Sequence, residues 1–166
     1  MVWRGSTSTG DRIFSVFPYL MPAAAGVELA RTLIANQPWL RLFLAPLLEI
    51  LQFFSPVLNA PTFLVFVVLY FAVVRNTNIP RFIRYNTALA LVADIALSLV
   101  SMTFSLMMNL FGELEFVGTL VEGILSPLVG LAAIVFFGYA VIQVVRGKYA
   151  EIAAFSPSAY SLTQDG

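Results

Sequence analysis

Thr87, Asp94, Ser98, Ser101 and Ser105 are the residues of this chain whose types and spacing could do chemistry. They recur at steps of seven, four, three and four, which keeps them on one face of an α-helix. They sit in a long apolar run that opens after Pro80, where an ionisable group such as Asp94 is expensive. A carboxylate and hydroxyls on one helical face could bond across to other helices and back to their own turn. They could equally line a polar path or dock another subunit. Two arginines, Arg81 and Arg84, stand at the mouth of the run, in a first turn whose dipole mildly disfavours cations. Two readings account for them. One is a positive-inside signal with contacts to lipid phosphate; the other is pairing with a carboxylate or a partner subunit.

Much other chemistry is excluded. The chain has no histidine and no cysteine, which removes disulfides, thiol nucleophiles, the usual general base, and zinc or haem held by imidazole. No phosphate loop, nucleophile elbow or paired catalytic carboxylates appear, so no cofactor, metal or enzyme activity is expected. Glu113 and Glu115 are two residues apart and point away from each other on a helix. Nine basic and nine acidic residues give a net charge of zero, so nucleic acid has no electrostatic footprint here.

The elements that must carry these residues are membrane spans. Of 166 residues, 60% are hydrophobic and 11% charged, and mean hydropathy is +0.89. Soluble domains sit near 45–50% apolar and about 25% charged. The apolar residues cluster into runs of bilayer length. We expect an all-α membrane protein of one domain, residues 1–166, with four transmembrane helices at about 13–35, 57–74, 81–108 and 123–145. Pro18 and Pro22 should kink the first span, and Glu28 and Arg31 can pair near its far end. Residues 39–54 carry Arg41, Pro46 and Glu49 and are short for a span; they read as an interfacial or re-entrant segment. Asn59 can cap the second span. Residues 109–122 read as an acidic connector. In the fourth span, Ser126 and Gly130 form a small-xxx-small pair suited to close helix packing. The tail from Arg146 ends polar and is expected to be flexible past Ser156. The polar stretch from Met1 to Gly10 has the pattern of neither a signal peptide nor a transit peptide.

With four spans, Arg4, Arg12, Arg75, Arg81, Arg84, Arg146 and Lys148 share one side, and Arg31 and Arg41 the other. That asymmetry places both termini on the cytoplasm-like side.

Arg75-Asn76, then Pro80-Arg81-Phe82-Ile83-Arg84-Tyr85-Asn86 with Asp94 following, resembles the signature of a known family. It is the twenty-kilodalton subunit family of the translocon at the inner envelope membrane of chloroplasts. Asp11-Arg12-Ile13, Phe17-Pro18-Tyr19-Leu20-Met21-Pro22 and Gly147-Lys148-Tyr149 are similar to that family's first span and C-terminal end. The resemblance implies a multi-pass subunit of the plastid inner envelope with stromal termini and no catalytic residues. It implies other membrane and soluble translocon subunits, translocating preproteins and lipids as partners, and a share in the preprotein-conducting channel. A docking subunit without its own conduit, and a small ion or solute carrier using Asp94, remain as alternatives.

Overall fold

The computed structural model describes residues 7–42 and 60–163, and among these every regular element is helical. The chain enters through α1 (Thr9–Val16). Its start is fixed by a reciprocal cap: Asp11 N–H donates to Ser8 Oγ at 3.1 Å and Ser8 N–H donates to Asp11 Oδ2 at 2.9 Å. Pro18 then tightens Phe17–Tyr19 into a 3₁₀ turn, because its ring carries no N–H for the α-helical ladder. The helix resumes as α2 (Leu20–Leu29), breaks at Ala30 and ends in α3 (Arg31–Asn36). The expected first span is thus three α-helical pieces, interrupted at Pro18 and again at Ala30, while Pro22 sits inside α2.

α4 (Ala60–Val68) continues into Leu69–Val74, where the ladder widens to a π turn, with Arg75 N–H donating to Tyr70 O at 3.0 Å. After a tight polar turn comes α5 (Arg81–Phe111), 31 residues long and about 46 Å end to end. Helix restarts soon after, as α6 (Glu115–Leu120), a π turn at Val121–Leu125 and α7 (Ser126–Val145) in one continuous run. The acidic connector expected at 109–122 is mostly helix: α5 overruns it from one side and α6 from the other. Glu115 sits in the first turn of α6, where a carboxylate complements the helix dipole.

Residues 81–111 and 115–145 are the two described helices long and apolar enough to cross a membrane; Phe63–Val74 is a shorter apolar helix. Only 28% and 22% of the most apolar windows of the long helices is buried. A soluble core helix would hide most of that surface, so these helices are dressed for lipid. The segment expected at 39–54 lies, from residue 43 on, outside the described residues, as do Arg4 and Asn59.

The bundle is organised around α2. Its Ala23-Ala24-Ala25-Gly26 run is buried, wedged between α5 and α7, which touch each other little. Closeness is set by glycine. A Cβ on Gly130 would lie 2.5 Å from Ala30 N and 2.6 Å from Gly26 O, and one on Gly26 would lie 2.7 Å from Ala133 Cβ. Ser126 Oγ donates to Leu29 O at 2.8 Å across the same crossing. Small residues let two backbones meet where lipid gives no hydrophobic drive.

The tail is not loose. α8 (Ser156–Thr163) packs against α5, with Ala150, Ala159 and Thr163 fully buried. Tyr85 explains it: its hydroxyl donates to Ser156 Oγ at 2.9 Å, and its ring lies 5.0 Å from that of Tyr149 and 4.6 Å from that of Tyr160.

Candidate functional site

At the basic end, two arginines close the carbonyl ends of two helices. Arg84, 4% exposed, donates from Nε to Val74 O at 3.0 Å, at the end of the run begun by α4. Arg12 donates from Nη1 to Val145 O at 3.2 Å, the last residue of α7. The last carbonyls of a helix have no intrahelical partner, and the dipole there is negative, so a guanidinium is favourable on both counts. Arg84 is therefore buried in the protein and is not a phosphate contact; Arg81, Arg75 and Pro80 are exposed. Pro80 stands immediately before α5 as its cap position, without a capping side chain.

The remaining signature residues serve the same end. Asn86 is fully buried, donating from Nδ2 to Phe82 O at 2.8 Å and accepting from the Tyr19 hydroxyl at 3.0 Å. Asn76 Oδ1 accepts from Asn78 N–H at 3.1 Å, shaping the turn before α5. Phe82 is buried with its ring 5.4 Å from that of Tyr149. Gly147 adopts φ +72°. Its N–H donates to Val144 O at 2.9 Å while Lys148 N–H donates to Gln143 O at 2.9 Å, a Schellman ending that needs a left-handed residue. These contacts join the starts of α1 and α5 and the ends of α4 and α7 at one end of the bundle.

The polar face of α5 divides in two. Thr87 is fully buried, and its Oγ1 has no hydrogen-bond partner among the described residues. Asp94 is 9% exposed and has neither a hydrogen bond nor an ion pair among them. It is the last buried residue of α5. Beyond it one face of the helix turns outward, with Ile95, Leu99, Met102, Leu106 and Leu110 exposed, while Ala96, Leu97 and Val100 still line a cavity with α7. Ser98 is half-buried. Ser101 and Ser105 open onto a polar cleft of about 310 Å³ at the end opposite the arginine caps. Glu28, Arg31, Glu122 and Ser126 line its other walls. Glu28 and Arg31 pair there at 3.3 Å, one turn apart.

Sequence reasoning missed Glu122 as a site residue, because the acidic stretch around it read as a solvated connector. The π turn at Val121–Leu125 carries it to the cleft wall. Its spacing of four from Ser126 was the available signal. Tyr85 and Tyr149 stand in the quoted motifs, but their contact with each other was not foreseen. Aromatic stacking between residues 64 apart leaves no local trace.

Such a bundle suits a multi-pass membrane subunit, with a structural basic end and a wet, polar far end. Residues 10–159 match the family model described as chloroplast import apparatus Tic20-like. The chain is 36% identical over 159 residues to a Tic20 family protein of Synechocystis sp., across 94% of this chain and 95% of that one. It is 34% identical over 92 residues to protein TIC 20-v, chloroplastic, and likewise to protein TIC 20-II, chloroplastic, both of Arabidopsis thaliana. Each of these matches covers 55% of this chain and 44% of the plant protein. No solved structure matches.

Proposed function

This chain belongs to the Tic20-like family of the chloroplast import apparatus, and from that premise we propose that it is a non-enzymatic membrane subunit of a preprotein translocon whose polar α5 face contacts the passing chain. The observation that carries this reading is the unsatisfied polar set on α5. Among the described residues Thr87 and Asp94 lack hydrogen-bond partners, and Ser101 and Ser105 line an open polar cleft. Polar groups at membrane depth belong in a wet cavity or against another chain.

In this reading the chain crosses four times, with the broken α1–α2–α3 run as the first crossing and residues 57–74 as the second. The arginine-capped end faces the stroma or its equivalent, in keeping with its excess of basic residues. The names of the two plant relatives give the chloroplast, the family resemblance points to its inner envelope as the membrane, and the partners in this reading are the other translocon subunits, preproteins and lipid.

Single cysteines at Ser98, Ser101 and Ser105 test the role. They should crosslink to a preprotein arrested in transit. Crosslinks confined to neighbouring subunits would favour the second reading, a docking subunit without its own conduit. The exposed apolar face of α5 beyond Asp94 supports that alternative.

A further inference from the structure

The polar cleft has a chemical preference that can be argued from its walls. Two carboxylates, Glu28 and Glu122, stand against one guanidinium, Arg31. Glu28 is engaged with Arg31 at 3.3 Å, whereas Glu122 has no hydrogen bond or ion pair among the described residues, nor do Ser101 and Ser105. The unmatched charge of the cleft is therefore negative, and the lining groups without a hydrogen bond or ion pair among the described residues are the Glu122 carboxylate, the hydroxyls of Thr32, Ser101 and Ser105, and the Asn109 carboxamide.

Its depth matters as much as its charge. Ser101 lies ten residues from the end of α5 at Phe111, about 15 Å along the helix. The cleft's volume of about 310 Å³ equals the liquid share of about ten waters, enough to solvate one long side chain and too little for a folded segment. One and two turns further along the same face come Ser98 and Asp94, the latter nine-tenths buried and without a partner among the described residues. Hydroxyls and a carboxylate thus continue inward from the cleft, and among the described residues the cation at its wall is Arg31, already paired with Glu28. The π turn at Val121–Leu125 forms part of the wall, a distortion that recurs at functional sites.

We propose that this cleft is a water-filled vestibule that receives ammonium and guanidinium side chains of an extended polypeptide, with Glu122 as the carboxylate they meet. The proposal rests on the translocon reading for the polypeptide itself, but its charge selectivity stands or falls separately.

The chain has no cysteine, so Ser101→Cys places a single thiol in the cleft of the full-length protein in lipid nanodiscs, where both faces are open. Two methanethiosulfonate reagents of similar size are compared, one bearing a trimethylammonium group and one a sulfonate. A cleft of net negative charge concentrates cations, on the order of tenfold where the field is focused. The rate ratio, normalised to a free thiol in solution, should therefore favour the cation by on the order of tenfold. Glu122→Gln should return most of that preference. An extended peptide of alternating serine and lysine should slow the labelling, and its serine–glutamate counterpart should not.

A thiol that does not react, a ratio equal to that of the free thiol, or a ratio unmoved by Glu122→Gln would overturn the proposal. So would labelling slowed by magnesium or sodium ions but not by the lysine peptide, which would make the cleft a site for inorganic cations. Failure to crosslink an arrested preprotein would remove the translocon reading while leaving the charge preference intact, so the two failures are distinguishable.

Discussion

Arg84 donates to the carbonyl oxygen of Val74 over 3.0 Å, from a position 4% exposed. Arg84, in the first turn of α5, thus locks that helix onto the end of the preceding one instead of meeting lipid phosphate. Replacing Arg84 with methionine keeps much of the apolar stem but leaves a buried helix-terminal carbonyl unanswered. The expected loss is about 1–3 kcal/mol, the cost of an unsatisfied buried group. Arg81→Met, at an exposed position, should change stability by less than about 0.5 kcal/mol. Thermal unfolding of both variants in detergent measures the contrast.

The crossing of α2 and α7 predicts a second contrast. Gly130→Ala puts a Cβ 2.5 Å from Ala30 N, so the two helices must separate. Overpacking of this kind costs about 1–3 kcal/mol. Gly138→Ala on the same helix meets nothing within 4 Å and should be neutral or slightly stabilising, since alanine is the better helix former. Equal effects at the two positions would contradict the packing described.

Gly147 is constrained twice. Its φ of +72° suits glycine, and a Cβ there would lie 2.7 Å from Thr7 Oγ1 and 3.1 Å from Arg12 Nη2. Gly147→Ala should destabilise by at least about 1 kcal/mol from backbone conformation alone. It should also loosen the Arg12 contact with Val145. Faster hydrogen exchange at the end of α7 would report that loosening.

The tail yields a prediction opposite to its composition. Residues 156–163 should be protected from hydrogen exchange in detergent, since α8 packs on α5 and Ser156 receives the Tyr85 hydroxyl. Tyr85→Phe removes that hydrogen bond and keeps the ring stack. Protection in α8 should fall while that of α5 holds.

Asp94 separates a polar face from a transport site. Asp94→Asn keeps shape and polarity while removing the ionisable proton. If the acid serves packing or polypeptide contact, reconstituted vesicles should show no ion or solute flux that the substitution abolishes. Proton-coupled uptake lost in Asp94→Asn would instead establish the carrier.

Much of the architecture was legible because lipid imposes a simple rule. Long apolar runs marked α5 and α7, and the serine spacing marked a polar face. The shape of the first span was visible at Pro18, because a missing N–H acts locally. Less local facts were hidden. Arg84 and Arg12 find carbonyls ten and 133 residues away, and the type of a residue does not say which helix end it will cap. The tail reads as polar and loose because its order comes from Tyr85, 71 residues from Ser156. Glu122 reads as part of an acidic connector; it is exposed, and its place at the cleft wall depends on which helices surround it, which has no compositional signature. The polar face reads as continuous, yet full burial on α5 ends at Asp94, so its inner half is packed and Ser101 and Ser105 open onto a cleft.

The contact between α5 and a passing polypeptide is tested most directly by comparing two single cysteines in the assembled translocon. One replaces Ser101 in the cleft; the other replaces Val135, 71% exposed on the apolar surface of α7. With a preprotein arrested in transit, the thiol at 101 should crosslink to it and the thiol at 135 should not. Preprotein crosslinks at 135 but not at 101, or at neither position while both capture neighbouring subunits, would contradict the account.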